Sequence, residues 1–228
     1  MDSERVDNGV AQVTRLLASL TSLSPLALGD DARRLIDAGA DALHVDIGDG
    51  HFVPFMTFGP ELVAALADHL DAAIEVHLMV DEPEAWIREI TRSRVARIWF
   101  HIESTRHPWR VASLVRRFDI QAGVALNPVT PIAVLEHLGS SVDAVNLLAT
   151  DHDFAGDQLL AGTTDRVRAV RTVVGSTTII QVDGGVRASN AGELVRAGVD
   201  ELVVGRAICG QQDWSAAVAE LHQVVAVQ

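Results

Sequence analysis

Eight short apolar segments recur along the 228-residue chain, and their regular alternation with amphipathic stretches limits the possible folds more than any other feature. The segments occupy residues 15–22, 42–48, 73–80, 97–103, 121–127, 144–150, 178–184 and 201–207. The clearest amphipathic stretches between them are residues 30–39, 60–70, 83–92 and 188–198. Strands that alternate with helices form a parallel sheet, and eight such units close into a barrel. We therefore predict an α/β protein with a single (β/α)8 TIM barrel.

Proline and glycine support the predicted helix boundaries. Pro60, Pro83 and Pro131 stand where helices should begin, and Gly39 and Gly198 stand where helices should end. The length of 228 residues suits one such barrel. We predict an N-terminal arm or extra helix over residues 1–13 and a catalytic barrel domain over residues 14–228.

The composition excludes several classes of function. A formal net charge of −13 argues against nucleic acid and anionic membranes as partners, because both favour basic surfaces. No apolar run approaches the roughly 20 residues that cross a bilayer, and the acidic N-terminus lacks signal-peptide features, so we expect a cytoplasmic protein. All 18 basic residues are arginine, which cannot form a Schiff base, so lysine-dependent aldolases and decarboxylases are excluded.

Ionisable side chains stand near the ends of three predicted strands. His44 and Asp46 lie two residues apart and share one face of a strand, and His77 and Asp183 lie near the ends of two others. Each alone has an ordinary explanation, as a satisfied core histidine or a turn residue. Four such groups at the same end of a barrel, where active sites lie, instead favour a site for one divalent metal ion. Two imidazoles and two carboxylates suit Zn, Mn, Fe or Co.

Six sequence blocks closely resemble the ribulose-phosphate 3-epimerase family. They lie at residues 43–60, 75–80, 100–104, 123–131, 181–186 and 205–214, in the family's order. The resemblance implies an isomerase that acts on a small-molecule sugar or sugar phosphate and forms homo-oligomers. It implies that the four ionisable residues bind the metal and that Asp46 and Asp183 are the catalytic acid and base. Epimerisation removes a proton from one face of a carbon and returns one to the other, so two such groups are required.

The resemblance and its departures also indicate residues that contact substrate. The predicted substrate-binding residues are Ser19, His51, Met79, Gly156, Gly184, Gly185, Gly205 and Arg206. Arg206 stands where the family has a small hydroxyl residue, and it is expected either to bind an anion or to pair with a nearby aspartate. Gly48 stands where the family has a methionine of the site, and we expect this change to open space above the substrate.

The largest departure is the loop after the sixth strand. The family reads approximately Asn-Pro-Gly-Phe-Gly-Gly-Gln there, whereas residues 151–157 read Asp-His-Asp-Phe-Ala-Gly-Asp. Like charges about 4 Å apart repel by roughly 4 kcal/mol at an effective dielectric near 20, so the aspartates disfavour a phosphate. Three readings stay open: an ordinary pentulose-phosphate epimerase, an epimerase of a non-standard substrate in a specialised biosynthetic pathway, and a catalytically idle barrel used for binding.

Overall fold

The computed structural model describes residues 13–150 and 158–226, and its centre is a closed barrel of eight parallel strands in sequential order. The strands are β1 (Arg15–Ser19), β2 (Ala42–Gly48), β3 (Ile74–Met79), β4 (Arg97–His101), β5 (Gln121–Leu126), β6 (Ala144–Leu148), β7 (Ile179–Asp183) and β8 (Glu201–Val204). The predicted (β/α)8 barrel is thereby confirmed. The first predicted strand extended too far, because residues Leu20–Ser22 form a 3-10 turn.

Helices follow most of the strands. They are α1 (Leu28–Asp37), α2 (Pro60–His69), α3 (Pro83–Ile90), α4 (Pro108–Arg116), α5 (Thr163–Val174), α6 (Ala188–Ala197), the short α7 (Arg206–Cys209) and α8 (Trp214–Ala226). Between β5 and β6 the chain forms two 3-10 segments instead, Ile132–His137 and Gly139–Ser141. Proline begins α2, α3 and α4, and Gly198 ends α6 with a φ of 109°, a left-handed conformation that glycine adopts without strain.

The two faces of the strands differ in chemistry. One set of alternate positions, including Val45, Val76 and Ile98, is buried in the large apolar cluster that joins the strands to the surrounding helices. The other set points into the barrel, where much of the filling is polar. Arg97 of β4 contacts Glu201 of β8 across this interior, at 2.5 Å between Nη1 and Oε2. Paired charges therefore fill part of the barrel interior.

Two further sequence predictions concern the N-terminal arm and membrane-spanning segments. The predicted arm of residues 1–13 lies outside the described residues apart from Val13, so it stays a prediction. Within the described part of the chain, no helix combines the length and the apolar character needed to span a membrane.

Candidate active site

Strand register brings the four predicted metal ligands together at the carboxyl end of the barrel. In the pairing of β2 with β3, Asp46 lies beside His77, and Asp183 is the last residue of β7. His44 and His77 are fully buried, whereas Asp46 and Asp183 keep 6% and 8% exposure. The imidazoles therefore form the floor of the cluster, and the carboxylates face the solvent side.

Five of the six ligand-atom separations within the cluster match those of a tetrahedral metal site. His44 Nε2 lies 3.4 Å from His77 Nδ1, 3.1 Å from Asp46 Oδ1 and 3.4 Å from Asp183 Oδ2. His77 Nδ1 lies 3.2 Å from Asp46 Oδ1 and 3.3 Å from Asp183 Oδ2. Four ligands at about 2.0–2.1 Å from a tetrahedral ion stand about 3.3–3.4 Å apart, so these separations leave a centre of the right size.

The chemistry of these ligand atoms also fits a divalent cation. Each imidazole nitrogen faces three partners, but an N–H group can donate well to only one of them. A cation at the centre instead satisfies all four atoms, and two carboxylates balance its charge while the imidazoles stay neutral. Among the described residues, the cluster that can hold a metal is His44, Asp46, His77 and Asp183.

Without a metal, the four groups shift one another's pKa values toward the charged forms. Burial opposes protonation of His44, but the carboxylates of Asp46 and Asp183 outweigh it and raise its pKa well above the usual value. The pKa of His77 is raised in the same way, against the same effect of burial. Burial raises the pKa of each carboxyl, but the neighbouring imidazoles more than reverse this, so the pKa values of Asp46 and Asp183 lie well below the ordinary range.

Each imidazole has a polar partner on the side away from the cluster, a carboxylate for His44 and a second imidazole for His77. His44 Nδ1 lies 2.5 Å from Oε1 of Glu75, and both residues are buried. His77 Nε2 lies 2.9 Å from His101 Nε2, and His101 Nδ1 lies 3.2 Å from Glu103 Oε2. If Nε2 of His44 and Nδ1 of His77 bind the ion, the opposite nitrogens carry protons and donate outward along these two chains.

Ser19 contacts one of the predicted catalytic carboxylates. Its hydroxyl donates to Asp46 Oδ2 at 3.1 Å, and Thr21 Oγ1 donates to the same oxygen at 3.4 Å. Asp46 therefore turns Oδ1 toward the imidazoles and Oδ2 toward these hydroxyl groups. The sequence prediction included Ser19 but missed Thr21, which lies in the 3-10 turn that was read as strand.

A cavity of about 880 Å³ opens above the cluster. Its described wall includes these predicted site residues: Ser19, Asp46, Asp183, Gly184, Gly185, Gly205 and Arg206. Thr150, Arg187 and Ser189 also line it and were not identified from sequence. Thr150 ends a predicted strand but is not ionisable, and Arg187 and Ser189 lie at the start of α6 and not on a strand. The two aspartates of the candidate metal cluster and two arginines thus line one cavity.

Two predicted substrate contacts, His51 and Met79, do not line the described wall of this cavity. His51 is exposed in the loop after β2, where its backbone N–H donates to Asp49 Oδ1 at 2.8 Å. Met79 is 1% exposed and packed at the end of β3. Gly156, with the rest of the acidic segment 151–157, lies outside the described residues. The roles assigned to these residues stay predictions.

Close packing explains the glycines of the cavity wall. A Cβ on Gly185 would lie 2.3 Å from the backbone nitrogen of Leu159, and one on Gly205 would lie 2.4 Å from Ser22 Oγ. The expectation for Gly48 was wrong. A Cβ there would meet the Phe55 carbonyl oxygen at 2.8 Å and a methyl group of Val53 at 2.9 Å, because the loop after β2 folds back over it. The missing side chain therefore leaves no open space at this position.

Comparison with known proteins gives one consistent result. A sequence profile of the Ribulose-phosphate 3 epimerase family matches residues 15–209. Ribulose-phosphate 3-epimerase of Bacillus subtilis is 33% identical over 212 residues, which cover 91% of this chain and 98% of that protein. The protein of the same name from Escherichia coli K12 is 32% identical over 212 residues, covering 91% and 94%.

Solved structures of more distant proteins have the same fold. Orotidine 5′-phosphate decarboxylase from Pyrococcus horikoshii superposes with a TM-score of 0.69 at 14% identity, covering 92% of this chain and 99% of that chain. Thiamine phosphate pyrophosphorylase from Pyrococcus furiosus gives 0.66 at 16% identity, covering 95% and 96%. At such low identity, the likeness supports the barrel fold alone.

Proposed function

Because this chain belongs to the ribulose-phosphate 3-epimerase family, we propose that it inverts C3 of ribulose 5-phosphate or of a related modified sugar phosphate. It is an epimerase, and thus an isomerase. The observation that carries the proposal is the pair Asp46 and Asp183, which meet at the buried cluster and both border the cavity.

In the proposed reaction, the two aspartates act from different sides of the substrate. β2 and β7 are separated in the barrel by β1 and β8, so their carboxylates approach the cavity from different strands. One carboxylate removes the proton from C3, and the resulting enediolate receives a proton on its other face from the second carboxyl. Ser19 and Thr21 donate to Asp46 Oδ2 and hold that carboxylate in place.

The four ligand residues support a metal-dependent reaction. His44, Asp46, His77 and Asp183 would hold the ion, and we propose Zn, Mn, Fe or Co on the basis of their donor atoms. Once bound, such an ion supplies Lewis-acid stabilisation of the negative charge that develops on the substrate oxygens. The two imidazoles are fully buried, whereas Asp46 and Asp183 keep a small exposed fraction and line the cavity.

The far end of the cavity suits the phosphate group of a substrate. In barrels of this fold, phosphate sites commonly form from the loops after β7 and β8 and the start of a short extra helix. Gly184 and Gly185 follow β7, Gly205 follows β8, and Arg206 begins the short helix α7, with all four on the cavity wall. We therefore propose this end as the phosphate side and predict that Arg206→Ala raises KM for a phosphorylated substrate more than it lowers kcat.

A second candidate is an epimerase for a sugar that lacks the usual terminal phosphate. The sequence of residues 151–157 favours it, since three aspartates replace a glycine-rich phosphate loop. Binding by a catalytically idle barrel is the third reading, and the intact ligand cluster counts against it. Homo-oligomerisation and a cytoplasmic location stay predictions from the sequence.

Deuterium incorporation tests the proposal. Metal-loaded protein is incubated in D2O with ribulose 5-phosphate and, separately, with unphosphorylated ketopentoses and ketohexoses, and NMR follows deuterium at C3 and the appearance of the epimer. Exchange and epimerisation of ribulose 5-phosphate, abolished by a chelator and restored by metal, support the primary proposal. Turnover of the unphosphorylated sugars alone favours the second candidate, whereas silence from a protein that binds no metal contradicts both.

A further inference from the structure

The carboxylate of Glu75 lies inside the barrel, directly behind the predicted metal ligand His44. The two residues are neighbours in the register of β2 and β3, and Glu75 is 3% exposed. Its Oε1 lies 2.5 Å from His44 Nδ1, while His44 Nε2 faces the ligand cluster. Glu75 therefore contacts the ring nitrogen that does not face the cluster.

This contact determines which tautomer of His44 is favoured. A carboxylate can only accept hydrogen bonds, so the short contact requires the proton on Nδ1. With the proton there, Nε2 has a free lone pair directed at the other three ligand atoms. A carboxylate that accepts a hydrogen bond from this N–H group also increases the electron density of the ring and hence its strength as a ligand.

Glu75 is itself held by two other interior side chains. Arg97 Nη1 donates to its Oε2 at 3.2 Å, and Gln181 Nε2 donates to its Oε1 at 2.7 Å. Arg97 and Gln181 are 3% and 0% exposed. A buried carboxylate is costly unless it is paired, and these partners both compensate its charge and fix its plane.

Glu201 offers a matched comparison within the same network. It is 2% exposed, pairs with Arg97, and accepts from Gln181 Nε2 at 3.1 Å, but none of its hydrogen bonds within the described chain involves His44. Glu75 and Glu201 thus share two partners and a similar depth. They differ in whether the carboxylate touches the ligand cluster.

We propose that Glu75 is a positioning residue that holds His44 in the Nδ1-protonated tautomer and thereby strengthens metal binding, with Arg97 and Gln181 holding Glu75 in turn. The inference rests on the proposed metal-dependent function. It assigns a role to side chains that touch neither the cavity nor the substrate, and it predicts an effect on metal affinity that a purely structural buried charge would not produce.

The test compares Glu75→Gln with Glu201→Gln, each removing one negative charge from the same network. Zn²⁺ affinity is measured by competition with a chromophoric chelator, and the visible absorption spectrum is recorded for the Co²⁺-loaded proteins. Loss of a partner behind a ligand histidine typically weakens binding 10–100-fold, and we expect a loss of about that size for Glu75→Gln. For Glu201→Gln we expect wild-type affinity within about threefold and an unchanged cobalt spectrum, since the partner of His44 stays intact.

Equal affinities for wild type and Glu75→Gln, or an equal loss in both variants, would overturn the inference. Failure of the wild-type protein to bind metal would overturn the proposed function itself, so the two failures are distinguishable. If Glu75→Gln does not fold, long-range ¹H–¹⁵N NMR of the zinc-loaded wild type still decides the matter. An Nδ1 proton of His44 with the downfield shift of a short hydrogen bond to a carboxylate supports the role of Glu75, and a proton on Nε2 or an Nδ1 proton with an ordinary shift contradicts it.

Discussion

Metal binding should release protons from the two buried imidazoles. Without metal, the pKa of His44 lies well above 6.5 and that of His77 is also raised, because burial is outweighed by Asp46 and Asp183. The carboxyl pKa values are lowered, so those groups carry no proton near neutral pH. A metal ion binds only an unprotonated nitrogen. Binding must therefore displace, from each ring, the proton on the nitrogen that faces the cluster.

The raised pKa values set a lower bound on the number of protons released. At pH 7.5, two histidines with an ordinary pKa near 6.5 would together release only about 0.2 proton. Because the pKa values of both His44 and His77 are raised, we expect a release clearly larger than about 0.2 proton. Each proton released weakens apparent affinity about tenfold, or about 1.4 kcal/mol, for every unit by which pH falls.

Isothermal titration calorimetry measures the release. Zn²⁺ binding is titrated at pH 7.5 in two buffers of different ionisation enthalpy, and the difference in observed enthalpy gives the number of protons. His69→Ala serves as the control, because His69 is exposed and contacts the Ala65 carbonyl rather than the cluster. Stoichiometric binding with a release near 0.2 proton would refute the reasoning, since the imidazoles would then be neutral before the metal arrives.

Three further predictions follow from the same contacts. Asp183→Asn, assayed at saturating metal, should slow epimerisation by about 10²–10⁴-fold while the remaining aspartate still exchanges deuterium into one epimer; wild-type epimerisation rates would contradict the two-aspartate mechanism. Gly123→Ala should lower the free energy of unfolding by about 1–3 kcal/mol, because its Cβ would lie 2.1 Å from the buried Trp99 ring, whereas Gly29→Ala, in open space, is the control in denaturant unfolding. The metal-free protein should lose thermal stability as pH rises above about 6.5, because a raised histidine pKa stabilises the fold below the unfolded-state pKa and this stabilisation is lost as His44 deprotonates; a melting temperature that is flat or rising there would contradict the shift.

The barrel and its ligand cluster were predictable from sequence for a common physical reason. Buried parallel strands read as apolar runs, so ionisable residues within them stand out, and strand direction assigns them to one end of the barrel. His44, Asp46, His77 and Asp183 all followed this logic, and the structure brings them within 4.8 Å of one another. Ser19 was found through the family resemblance.

The interior network was not predicted, although one signal was present. Glu75 is a charged residue in the middle of an apolar strand, two positions before His77, and this pattern marks it as an inward-facing partner. Its link to Arg97 and Gln181 depends on barrel closure, because those residues come from β4 and β7. Sequence periodicity indicates which face a residue occupies, but not which residues of other strands lie level with it.

The prediction for Gly48 failed because it treated one substitution apart from the adjoining loop. A bridge between Asp49 and Met56 folds the segment after β2 back, and Thr57 Oγ1 accepts from the Gly48 N–H at 2.8 Å. The volume freed by the glycine is taken by neighbouring chain. Such compensation requires the loop path, which residue types alone do not specify.

Anomalous X-ray diffraction from zinc-soaked crystals, measured at the zinc absorption edge, tests the central claim most directly. The account predicts one strong peak per chain, about 2.0–2.2 Å from His44 Nε2, His77 Nδ1 and one oxygen each of Asp46 and Asp183. A peak elsewhere in the chain, or zinc bound by only one or two of these residues, would contradict it.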